Sequence, residues 1–119
     1  MDDEITPAEV RELLEADEDV RIVDIRDEES FAHGRIPGSE NLPFDRLPAR
    51  VTELDGADRI VAVCPHGIAS VQAARLIASY EGAADARVES MAGGLEEWAE
   101  EYELEADAGP DAGLEDAPF

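Results

Sequence analysis

The chain has 119 residues, 44% hydrophobic and only 5% aromatic, which suits one domain with an aliphatic core and no need of disulfides or metal clips. Thirty-one Asp and Glu face nine basic residues, every one an Arg, so the formal charge is -22 and the surface repels nucleic acid and anionic membrane. One cysteine excludes an internal disulfide, no apolar run approaches the roughly 18 residues of a membrane-spanning helix, and the acidic start "MDDEITPAEV" does not read as a secretory signal, so a cytoplasmic protein is expected.

Thr6 and Pro7 ahead of "AEVRELLEA" read as an N-cap and a first helical position, with Val10, Leu13 and Leu14 on one helix face. Residues 20–25, "VRIVDI", predict a strand, and residues 28–32 a short helical turn followed by Gly34, Pro37, Gly38 and Pro43 as punctuation. "DRLPARVTEL" resumes a helical pattern across Pro48, and Arg59–Val63, "RIVAV", is a second apolar strand. A helix starting near Ala69 or Ser70 carries Val71, Ala74, Leu76, Ile77 and Tyr80 at helical spacing, with Gly82 as its C-cap.

Residues 86–91 predict a third strand. After Gly93 and Gly94, which allow a close backbone turn, "LEEWAEEY" predicts a last helix anchored in the core by Trp98. From about Glu103 the chain is rich in Asp, Glu, Ala, Gly and Pro without apolar periodicity; a domain over 1–104 and a mobile acidic tail over 105–119 are expected. Strands alternating with helices place the fold in the α/β class, an open, mostly parallel sheet built of right-handed βαβ units and covered on both faces.

Ligands of such sheets gather beyond the carboxyl ends of the strands, and Cys64 follows "RIVAV" directly. Pro65, His66, Gly67 and Ile68 leave room only for a tight turn before a helix whose unpaired N–H groups point back at the sulfur. Only a thiolate is a nucleophile, and a free thiol of pKa about 8.5 is a few per cent ionised at neutral pH. A helix N-terminus stabilises an anion by about 0.3–1 kcal/mol, up to ~2, which lowers a thiol pKa by up to roughly 1.5 units. Loop amides and His66 have to supply the rest, against the opposing global charge. The same position also suits a small buried core residue, and position alone leaves the two readings level.

Three stretches decide between them. "VDIRDEESFAHGRIPGSENLP", "CPHGIAS" and "MAGGLEEWAEEYEL" occur in this order within residues 5–104 and resemble the signatures of the single-domain rhodaneses, the sulfurtransferase family. In the family's active-site loop a cysteine opens a six-residue cradle, often Cys-x-x-Gly-x-Arg followed by Ser or Thr. Cys64, Gly67 and Ser70 match it, while Ala69 stands where thiosulfate-active members frequently carry Arg. Small members with a "CYHGNSS"-type loop also lack that Arg, and the chain sits nearer to them, although Pro65 and Ile68 are atypical.

The resemblance implies a rhodanese-like, five-stranded α/β sheet and a double-displacement reaction without metal or organic cofactor. Cys64 would take sulfur from a small sulfur-containing anion or persulfide donor, thiosulfate for example, and pass it to a thiol, cyanide or a protein acceptor. Pro65, His66, Gly67, Ile68, Ala69 and Ser70 would form the substrate cradle, their amides from His66 to Ser70 holding the added sulfur. Asp24 and Arg26, at the end of the matching strand, would support the loop or form a strand-end salt bridge of structural value alone; Arg26, Arg35 or Arg75 would have to replace the missing charge partner. His33 matches no role in the family.

The composition in turn is similar to that of proteins from salt-in halophiles, acidic throughout and without lysine, so the resemblance is to a rhodanese of haloarchaeal type. A Debye length of roughly 3 Å at 1 M salt would screen the self-repulsion. One cysteine and two histidines make no zinc pattern, and a phosphatase on the same fold would need a longer loop with Arg where Ser70 stands. The remaining rival is a non-catalytic rhodanese-like module that carries persulfide sulfur to a partner or only binds one.

Overall fold

The computed structural model describes residues 3–106. In chain order they form β1 (Glu4–Ile5), α1 (Pro7–Glu15), β2 (Arg21–Asp24), α2 (Glu28–His33), β3 (Glu40–Asn41), α3 (Leu47–Arg50), β4 (Arg59–Val63), α4 (Ala69–Ala78), β5 (Arg87–Met91) and α5 (Gly94–Glu101). The five strands make one sheet in the order β1-β5-β4-β2-β3, every pairing parallel. Parallel neighbours need crossovers, and the helices that supply them cover both faces.

β4 lies at the centre, and that explains its unbroken apolar run: Ile60, Val61, Ala62 and Val63 are all fully buried. Side chains alternate across a strand, so Ile60 and Ala62 pack with Leu47, Leu54, Ala73, Ala74 and Ile77 beneath α3 and α4. Val61 and Val63 face the other way and pack with Val10 of α1 and with Leu95 and Trp98 of α5. Cys64 continues the first of these rows, one residue past the strand end.

Thr6 caps α1 as expected: its hydroxyl accepts from the Glu9 amide at 3.1 Å, and the Glu9 carboxylate accepts from the Thr6 amide at 3.0 Å. Asp27 does the same for α2, accepting from the Ser30 amide at 2.7 Å. The expected strands and the last helix are present with ends moved by a residue or two. β1 and β3, two residues each, have no local pattern of their own; pairing with β5 and β2 defines them.

Two expectations change. The helix expected across Pro48 is a chain of short turns, 3-10 at Phe44–Arg46, α at Leu47–Arg50 and 3-10 again at Val51–Leu54; Pro48 sits in the first turn of α3, where a missing N–H costs no bond. α4 ends at Ser79, before Gly82, because the Ser79 hydroxyl donates to the Leu76 carbonyl at 2.7 Å and a separate 3-10 turn, Glu81–Ala83, takes in Gly82. At the C-terminal side Arg35 and Glu105 exchange backbone hydrogen bonds of 2.8 and 2.7 Å. The expected tail lies almost wholly outside the described residues.

Candidate active site

β4 delivers Cys64 to the carboxyl edge of the sheet, and residues 65–68 turn back into α4. Ile68, at the N-cap of that helix, supplies no side-chain cap. The sulfur takes its place. Gly67 N donates to Cys64 Sγ at 3.1 Å and Ser70 N at 3.3 Å, so one loop amide and one amide that the helix start leaves unpaired end on one atom. Ser70 Oγ lies 3.2 Å from Sγ, and Ser90 Oγ of β5 lies 2.7 Å from Ser70 Oγ. Burial pushes the Cys64 thiol up, but the Ser70 hydroxyl and the amides of Ser70, Gly67 and His66 outweigh it and leave the thiol below its ordinary value.

The loop keeps this curvature because a second helix start holds it from behind. Leu95 N donates to the Cys64 carbonyl at 2.9 Å and Glu96 N to the Pro65 carbonyl at 3.0 Å, so the first turn of α5 draws the loop carbonyls away from the sulfur. The approach is too close for side chains. A Cβ on Gly67, at φ +80, would lie 2.7 Å from Gly93 N, and one on Gly94, at φ +63, would lie 2.5 Å from the Cys64 carbonyl oxygen. Gly93 and Gly94, expected only to allow a turn, are thus the backbone surface on which the loop is moulded.

Cys64 itself is buried and the side chains around it are exposed: Pro65, His66, Ile68 and Ala69 face solvent. Ile68 is 74% exposed. His66 Nδ1 lies 3.7 Å from Glu96 Oε1, both side chains in solvent. None of the residues 64–70 carries a cationic side chain other than this histidine in its charged form.

Asp24 and Arg26 form an ion pair at the end of β2. The buried Asp24 carboxylate accepts from the Arg26 guanidinium at 2.7 Å and from the Arg26 amide at 3.0 Å. The same guanidinium donates to the Gly34 carbonyl, and Asn41 donates to the Asp24 and Arg26 carbonyls. The pair therefore braces the α2–β3 connection, and on the side toward Cys64 it joins the end of β4, where Asp24 is in register with Val63 and Ile25 N donates to the Val63 carbonyl at 3.0 Å. A pocket of about 430 Å³ beside it, lined by Arg26, Glu29, Ser30, His33, Gly34 and Leu104, shares no wall with residues 64–70. Arg35 stacks on Phe31 and pairs with Glu105, and Arg75 is exposed in the last turn of α4.

Ser90 is the site residue that the sequence did not disclose. A serine in a strand has no local signature, and only the fold brings it beneath Ser70. Among the described residues no group of three or more His, Cys, Asp or Glu is placed to hold a metal ion, and no helix is long and apolar enough to cross a membrane.

Residues 6–101 match the rhodanese-like domain family. The chain is 40% identical over 98 residues to the thiosulfate sulfurtransferase GlpE of Pseudoalteromonas translucida, covering 82% of this chain and 90% of that protein. It is 35% identical over 105 residues to the GlpE of Pseudomonas aeruginosa, covering 88% and 91% of the two chains. Among solved structures, a rhodanese-related protein from Thermoplasma volcanium superposes with a TM-score of 0.75 at 20% identity, over 88% of this chain and 99% of that one. The chain belongs to the rhodanese-like domain family and is a sulfurtransferase-like enzyme.

Proposed function

We propose that this protein is a cytoplasmic sulfurtransferase that moves sulfane sulfur from a donor such as thiosulfate, through a persulfide on Cys64, to a thiol, cyanide or protein acceptor. The observation that carries the proposal is the convergence of Gly67 N, Ser70 N and Ser70 Oγ on one sulfur. Such donors favour the thiolate, which attacks the outer sulfur of the donor. A Cys64 S–S bond forms, the S–S bond of thiosulfate breaks, and sulfite leaves with the electron pair. The acceptor then attacks the outer sulfur of the persulfide, and Cys64 departs as a thiolate.

The loop amides are suited to hold the negative charge of the outer sulfur in between, each bond to a charged group contributing about 1.5–3 kcal/mol. With Ala69 where an Arg could stand, a divalent donor meets backbone amides and the Ser70 hydroxyl against a net charge of -22. Thiosulfate is therefore expected to bind weakly and to bind better as salt rises.

The test is thiocyanate production from thiosulfate and cyanide in molar KCl. Wild-type protein is expected to turn over and Cys64→Ser to show none; activity that survives the substitution would sink the nucleophile assignment.

A further inference from the structure

Ser90 is fully buried on the face of β5 that meets α4, in register with Ala62 of β4 and Glu4 of β1. A hydroxyl in such a place costs free energy unless it is bonded. Its partner is Ser70 Oγ at 2.7 Å, and Ser70 Oγ lies 3.2 Å from Cys64 Sγ. Three groups on three elements therefore form one chain that ends on the reacting sulfur.

We propose that Ser90 is a positioning residue for the chemistry of Cys64, acting through Ser70 by setting which way the Ser70 hydroxyl points. This rests on the reading of Cys64 as the nucleophile. Ser70 has one proton to donate and lone pairs with which to accept. With Cys64 a thiol, the S–H donates to Ser70 Oγ and Ser70 donates to Ser90. With Cys64 a thiolate, Ser90 donates to Ser70 and the Ser70 proton turns to the sulfur. Both hydroxyls rotate, neither loses its proton, and the thiol proton goes to solvent.

The two settings are unequal. S–H is a weak donor, whereas a hydroxyl bond to an anion is charge-assisted and is strengthened by the bond behind it. Ser90 therefore favours the thiolate, and it keeps Ser70 aimed while the sulfur changes state. Removing its hydroxyl leaves Ser70 with one partner and weakens its donation.

The chain holds one cysteine, so the mass gained from iodoacetamide reports Cys64 alone. The experiment is the alkylation rate against pH for wild type, Ser90→Ala, Ser70→Ala, the double variant and Ser90→Thr, each checked for fold by circular dichroism. Ser90→Ala is expected to raise the midpoint by about half a pKa unit, a roughly threefold loss of thiolate on the acid side. Ser70→Ala should raise it further, the second substitution should add nothing to it, and Ser90→Thr, which keeps the hydroxyl, should restore the wild-type midpoint. An unmoved midpoint in Ser90→Ala, or a shift that persists in the Ser70→Ala background, overturns the role of Ser90 while leaving Cys64 reactive. A wild-type Cys64 that no pH makes reactive overturns the nucleophile reading, and this inference with it.

Discussion

At Gly67 and Gly94 an added Cβ would meet the backbone of the facing segment, and each residue has a positive φ that other side chains rarely adopt. Gly94→Ala would drive a methyl into the Cys64 and Pro65 carbonyls, so the loop must move and the amides must leave the sulfur. We expect a loss of roughly 1–3 kcal/mol in urea denaturation together with a higher Cys64 pKa by alkylation. Cys64 also links pH to stability. Its pKa is lower in the folded chain than in the unfolded one, so its contribution is fully present above the ordinary thiol value and fades as pH falls through the folded-state value. Urea melts of wild type across that window should show the slope and Cys64→Ala should not. At this scale Cys64 and the glycine of its loop were legible, because a strand end, a tight turn and a helix start are written locally. Gly93, Gly94 and Ser90 were not, since what they do depends on contacts some 20 to 30 residues away in sequence.

Among the elements, those with long apolar patterns and caps could be read in advance. α1 shows why: Thr6 and Glu9 satisfy each other's amides, and Thr6→Ala should cost about 1 kcal/mol, lowering Tm by roughly 4–8 °C in a calorimetric scan. The short edge strands β1 and β3 escaped notice because two residues hold no period, and the true end of α4 escaped because Ser79, an ordinary helix residue, closes it with its own hydroxyl. The Asp24–Arg26 pair was visible as a strand-end motif, but its partners, Gly34 and Asn41, are fixed only by how α2 and β3 fold back on β2. Arg26→Ala leaves a buried carboxylate without its guanidinium, and a loss of about 3 kcal/mol is expected from chemical denaturation. Because the pair supports the α2–β3 connection, the Cys64 pKa should stay near that of wild type in the same variant.

Over the whole molecule the net charge of -22 acts on both fold and chemistry. Its partly buried ion pairs, such as Arg59 with Glu89 at 2.8 Å, draw on a scarce supply of arginine, nine residues against 31 Asp and Glu. The midpoint of thermal unfolding should therefore rise between near-zero and molar KCl; a midpoint independent of salt would refute the halophilic reading of the composition. The central claim, that Cys64 carries the transferred sulfur, is tested most directly by intact mass. After incubation with thiosulfate in molar KCl, the wild type should gain roughly 32 Da, one sulfur atom, on Cys64, and cyanide should remove it with release of an equal amount of thiocyanate. An adduct that forms equally on Cys64→Ser, or no adduct on the wild type from any sulfane donor, would contradict it.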